Sequence, residues 1–151
     1  MTTTTKPYIP AVGSLTDALA PLAEPALRVA AGLILVPHGA QKLFGWFGGY
    51  GLEATGAFFQ TSLGLPPSLA LVAGLIEFVG GLMLALGVLT RPVALVIAGF
   101  LAVTISIHLG SGFFWSDGGF EYPLLWTIVV ATFAIRGGGR YSVDARLGRE
   151  F

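Results

Sequence analysis

Four apolar stretches, the last of them the shortest, follow one another along the chain with short polar connections between them. The first is ALRVAAGLILVPHGAQKLFGWF, from Ala26 to Phe47, and the second is SLALVAGLIEFVGGLMLALGVL, ending near Leu89. VALVIAGFLAVTISIHL follows Pro92, and LLWTIVVATFAI follows Pro123. About 20 apolar residues cross a hydrocarbon core roughly 30 Å thick. Lipid offers backbone N–H and C=O groups no partners, so each stretch must satisfy its own as a helix. The sequence therefore predicts an all-α integral membrane four-helix bundle. Its 54% hydrophobic and 11% charged residues are too apolar for a soluble domain of this size. A formal net charge of zero gives no electrostatic footprint for nucleic acid. The lack of cysteine removes disulfides, thiolate metal sites and iron–sulfur ligation.

Three regions follow: an N-terminal cytoplasmic tail (1–25), a four-span domain (26–136) and an Arg-rich cytoplasmic tail (137–151). The first lacks the basic start and apolar core of a cleavable signal peptide. Its part from Leu15 to Leu22 suits a surface amphipathic helix, which Pro21 and Pro25 keep brief. Pro37 predicts a kink in the first span beside His38. Between Gly48 and Pro66, Leu52, Phe58, Phe59 and Leu63 among polar residues suit a short interfacial helix that would lid the bundle. Only Thr90, Arg91 and Pro92 separate the second and third spans, which must then be antiparallel neighbours. With both termini inside, the cytoplasmic cations are Lys6, Arg28, Arg91, Arg136, Arg140, Arg146 and Arg149, leaving Lys42 alone near the outer face. That asymmetry predicts a multi-pass bacterial plasma-membrane protein with N- and C-termini cytoplasmic. Trp46 and Trp115 fall at the outer interface. The final Arg-rich tail is placed to touch anionic headgroups.

Ionisable groups within spans are costly and mark candidate sites. On the first helix Arg28, Ala31, Leu35, His38, Lys42 and Gly45 recur at three and four residues and form one stripe. On the second, Ala70, Gly74, Glu77, Gly81 and Ala85 form a small-residue stripe of the kind that brings membrane helices close. Measured down from the outer ends, His38 and Glu77 lie at similar depths, roughly 13 and 15 Å. They are the candidate catalytic pair, in which Glu77 exchanges protons. Gln41, Lys42, Thr104, His108 and Glu121 would line a funnel above them, suited to a quinone headgroup or a proton path. The structural readings are that His38 and Glu77 merely join two helices, that Lys42 snorkels, and that Arg28 and Arg91 serve structure or topology. No metal site is expected. Haem is disfavoured because the two histidines differ in depth by roughly 7 Å.

Arg28 with Gly32, the stretch HGAQKLFG, Glu77 followed by GGLMLALGVLTR, and GGFEYP with Glu121 and Pro123 stand in an order that resembles the DoxX family of four-span bacterial membrane proteins. The resemblance covers about Ala26 to Arg136. It implies a plasma-membrane protein, since the family takes its name from a subunit associated with thiosulfate:quinone oxidoreductase and terminal oxidase activity. Other members are linked to oxidoreductase complexes that respond to oxidative or thiol stress. The expected role is thus a membrane subunit of a quinone-linked system, with the lipid bilayer, a quinone and either a protein partner or a second copy as companions. The alternative is a non-catalytic scaffold or small-solute carrier. The absence of cysteine argues against direct sulfur transfer.

Overall fold

The computed structural model describes residues 6–150, so the first five residues of the predicted N-terminal tail and Phe151 of the C-terminal one lie outside the described residues. Every regular element among the described residues is helical: α1 (Pro10–Phe44), α2 (Gly51–Leu63), α3 (Leu69–Leu86), α4 (Thr90–His108), α5 (Glu121–Arg136) and α6 (Val143–Leu147). Three of them, α1, α3 and α4 with its extension to Ser111, are long and apolar enough to cross a membrane. The fourth predicted span is α5, whose 16 residues reach only about 24 Å.

The core is small in cross-section and draws on four helices: Ala31 and Leu35 of α1, Leu84 of α3, Ala94, Ile97 and Leu101 of α4, and Val130 and Phe133 of α5. The outward faces are equally apolar, with Leu33, Ile34, Leu95, Val96, Leu125 and Ile128 all exposed. A bundle that is apolar both inside and out suits lipid rather than water as its solvent.

Glycines set the α1–α3 distance. A Cβ on Gly81 would lie 2.7 Å from the Gly32 carbonyl oxygen, and one on Gly39 would lie 2.7 Å from that of Gly74. Backbone therefore meets backbone at two levels, as small-residue stripes allow in membranes. All five residues of the predicted α3 stripe are buried. The α1 stripe is centred differently. Gly32 and Gly39 make the close approaches, so the buried face runs through Arg28, Gly32, Leu35 and Gly39. At roughly 100° per residue, His38 sits about 80° from the centre of that face, and it is exposed.

Two further expectations are corrected. The predicted short surface helix is instead the start of α1, which runs unbroken through Pro21, Pro25 and Pro37. Pro21 removes the N–H that would serve the Asp17 carbonyl, but both residues are exposed, where water or headgroups can satisfy the freed oxygen. The α3–α4 turn comes earlier than predicted, at Gly87 to Leu89, and Thr90 to Pro92 already form the first turn of α4, where proline is tolerated. Leu89 takes a left-handed φ of 47°, which a non-glycine residue adopts only when neighbours enforce it. The Arg-rich tail folds back on this turn through α6. Ser142 caps α6 by accepting the Ala145 N–H at 3.0 Å, and the Asp144 N–H donates to the Gly87 carbonyl at 3.0 Å.

Candidate functional site

The close α1–α3 packing puts Lys42 beside Glu77. The Lys42 Nζ lies 2.7 Å and 2.9 Å from the two carboxylate oxygens of Glu77. Glu77 is buried, whereas the Lys42 side chain keeps a quarter of its surface exposed. Glu77 occupies a π-helical turn, Ile76–Gly80, within α3. Such turns loosen the regular hydrogen-bond ladder and recur at functional sites. The predicted partner of Glu77 was His38; the structure pairs it with Lys42 instead, because the helix face centred on Gly39 carries Lys42 inward and His38 outward.

The ion pair borders a groove of about 500 Å³ between α2, α3 and α4. Phe58 and Phe59 of α2 roof it, Val72 and Ile76 of α3 and Phe100 and Val103 of α4 wall it, and Thr104 and His108 also line it. A second cavity of about 530 Å³ shares Phe58, Phe59 and Lys42 and reaches Gln41, Tyr50 and Thr55. Lys42 and the two phenylalanines thus line both spaces. Largely apolar pockets with few placed polar groups are the usual form of a small-molecule site.

The other predicted residues divide. Lys42, Glu77, Thr104 and His108 share the groove. Thr104 spends its hydroxyl on the Phe100 carbonyl at 3.1 Å. The His108 Nδ1 is 2.7 Å from the Gly118 carbonyl oxygen. A carbonyl only accepts, so Nδ1 carries the proton in this contact. Gln41 belongs to the second cavity and donates to the Phe47 carbonyl at 3.3 Å. Glu121 stands apart from the groove and accepts the Trp115 N–H at 3.2 Å, fixing the loop in which Trp115 stacks on Tyr122. Arg91 lies 3.6 Å from Glu150.

Arg28 is wholly enclosed, at 1% exposure. Its Nη1 donates to the Leu84 and Ala85 carbonyls at 2.8 and 2.6 Å, and Nη2 to the Tyr141 carbonyl at 2.9 Å. It therefore caps the end of α3 and pins the tail to it. Sequence reasoning missed the counterpart, Asp144, whose carboxylate accepts the Leu89 N–H, the Thr90 N–H and the Thr90 hydroxyl at 2.7 to 2.8 Å. The available signal was Ser142-Val-Asp with Gly148 beyond it, a short capped helix. Asp144 closes the N-terminus of α4, where a negative charge is favoured.

Burial pushes the Asp144 carboxyl up, but the hydrogen bonds from Thr90 and Leu89 and the charge of Arg28 outweigh it and hold it below the ordinary carboxylate value. A depressed folded value means that this stabilisation is complete above the unfolded value, about 3.9, and is lost as pH falls through the folded one. Thermal unfolding in detergent followed downward from pH 7 should show that acid loss in the wild type and a flatter acid limb in Asp144→Asn. Identical acid limbs would show that the carboxylate contributes nothing.

A family model described as DoxX matches residues 25–110, which takes in the first three predicted spans and leaves the GGFEYP stretch outside. The chain is 35% identical over 104 residues to a Bacillus subtilis (strain 168) protein named "Putative oxidoreductase CatD", covering 68% of this chain and 72% of that one. An uncharacterized protein of Haemophilus influenzae is 30% identical over 122 residues, 78% of this chain and 85% of its own. No solved structure matches. With more than half of its length matched by the family model and a relative 35% identical over 68% of it, the chain belongs to the DoxX family.

Proposed function

We propose that this chain is a bacterial plasma-membrane subunit of a quinone-linked oxidoreductase, with α1, α3, α4 and α5 as its four spans, α2 as an interfacial lid and both termini in the cytoplasm. The observation that supports it most is the Lys42–Glu77 pair at the edge of an apolar groove that aromatic side chains roof. A quinone headgroup in that groove would put one oxygen against the Lys42 ammonium, which donates to it. Reduction of a quinone by two electrons consumes two protons, and Glu77 is the group positioned to relay them. The electrons would come from a partner redox protein. His38, exposed and on the flank of α1, has no part in this relay.

A short α5 fits the span role if the bilayer thins or flanking residues snorkel, adjustments that cost fractions of a kcal/mol per Å. The cations of the tail together with Lys6, Arg28 and Arg91 support the cytoplasmic assignment of that end.

The second reading is a scaffold or small-solute carrier. It is favoured by the completeness of the ion pair, in which Lys42 and Glu77 satisfy each other without a ligand. Mass spectrometry of organic extracts separates the two. Protein purified in mild detergent should carry close to one quinone per chain, and Glu77→Gln, at an unchanged melting temperature, should carry at least about tenfold less, a difference of ~1.4 kcal/mol. Quinone absent from both proteins would favour the scaffold.

A further inference from the structure

At the opposite end of the bundle from the ion pair, a separate groove of about 660 Å³ runs between the middle of α1, the end of α3 and the folded-back tail. Leu22, Val29, Leu86 and Val143 contribute apolar walls, and Leu22, Val29 and Leu86 are exposed. Arg28 and Arg146 line the same groove. The quinone reading uses neither residue.

The charge at this groove is positive and incompletely answered. The direct partners of the buried Arg28 guanidinium are all neutral carbonyls, and its Nε–H has no hydrogen-bond partner. Asp144 offsets part of the charge, but its oxygens are engaged by Leu89 and Thr90. Glu24 is committed to Arg136 at 2.9 and 3.0 Å. Among the described residues, Arg146 and Arg140 form no ion pair; Arg140 lies over the Tyr141 ring at 4.7 Å, beside the groove. A buried cation with a donor to spare, an exposed arginine at the rim and apolar walls facing lipid together match one kind of molecule: a phosphate with acyl chains attached.

The geometry points to a binding site for one anionic phospholipid in this groove, its phosphate at Arg146 in the field of Arg28 and its chains along Leu22, Val29 and Leu86. The site couples to the fold, because the same Arg28 that draws the phosphate holds the end of α3 and the Tyr141 carbonyl. Lipid binding would thereby tie the tail to the spans.

Native mass spectrometry of the full chain, released from micelles after titration with phosphatidylglycerol or phosphatidylcholine, tests this. One phosphatidylglycerol should be retained per chain, with phosphatidylcholine bound several-fold more weakly. Arg146→Gln should lose roughly fivefold in phosphatidylglycerol retention, the worth of one arginine near an anionic surface. Ala26→Trp, which fills the groove without changing charge, should lose it as well, and Leu86→Trp serves if Ala26→Trp melts early. Both variants spare Arg28, so a folded bundle is expected. Equal retention of the two lipids, or retention unchanged in Arg146→Gln and in the groove-filling variant, overturns the site. Soluble glycerol phosphate that binds as well as the lipid would reduce it to an anion contact and overturn the lipid assignment.

Discussion

Replacing Arg28 by methionine should destabilise the protein by about 3–5 kcal/mol, the range found when one member of a buried polar network is removed and its partners are left unsatisfied. The guanidinium makes three hydrogen bonds to carbonyls: those of Leu84, which also accepts the Gly87 N–H, and Ala85 at the end of α3, and that of Tyr141 in the tail. A methionine fills similar space but donates nothing, and the carboxylate of Asp144 loses the cation that faces it. Arg28→Lys should be intermediate, since an ammonium keeps the charge but cannot span Leu84, Ala85 and Tyr141 at once. Equilibrium unfolding in mixed detergent micelles, monitored by helical circular dichroism, reads the difference. A loss below about 1 kcal/mol for Arg28→Met would show that the clamp is not what holds the tail to the spans.

The ion pair yields the second large effect and separates structure from function. Lys42→Met leaves Glu77 buried without its cation, at a cost of about 2–4 kcal/mol, towards the lower end because Lys42 itself is partly exposed. The double variant Lys42→Met with Glu77→Met removes both charges, and replacing a buried pair by apolar groups is often neutral or stabilising. Most of the lost stability should therefore return in the double variant. Quinone should not, because neither hydrogen-bond donor nor proton relay remains. Recovery of stability together with recovery of quinone would mean that the pair has no ligand role. A double variant as unstable as the single one would mean that the groove cannot close around apolar side chains.

Features of the sequence differed in how far they could be read, and for identifiable reasons. The small-residue face of α3 was legible because Ala70, Gly74, Glu77, Gly81 and Ala85 follow the helical period and glycine has one strong use in a membrane, close approach. The α1 face was legible only to within one residue. His38 and Gly39 both lie near the stripe, and which of them points at α3 depends on the rotation of a helix whose contact surface is made by glycines that carry no hydropathy signal. That ambiguity of less than one turn exchanged Lys42 for His38 as the partner of Glu77. The run of prolines in α1 misled in the opposite direction, since an exposed carbonyl freed by proline need not end a helix.

The tail was the least legible region. Its polarity declared only an Arg-rich cytoplasmic tail, whereas Asp144 and Ser142 are bound to groups 50 or more residues earlier or to the local turn, and nothing in a short polar stretch declares such distant partners. Leu89 carries the same lesson, because its left-handed backbone is sustained by Asp144 and Leu has no preference that announces it. Helix α2 was visible as a short amphipathic segment between glycines, but its position against two cavities follows from packing of Phe58 and Phe59 that sequence alone does not fix.

Photolabelling with an azido-quinone, followed by peptide mass spectrometry, tests most directly whether the groove beside Lys42 and Glu77 holds a quinone. The label should fall on the α2 peptide carrying Phe58 and Phe59 and on the α4 segment from Phe100 to Thr104, be displaced by excess unlabelled quinone, and vanish in the Lys42→Met, Glu77→Met double variant. Label spread over outward-facing residues such as Leu95 and Leu125, undiminished by competitor and unchanged in the double variant, would contradict a quinone site in this groove.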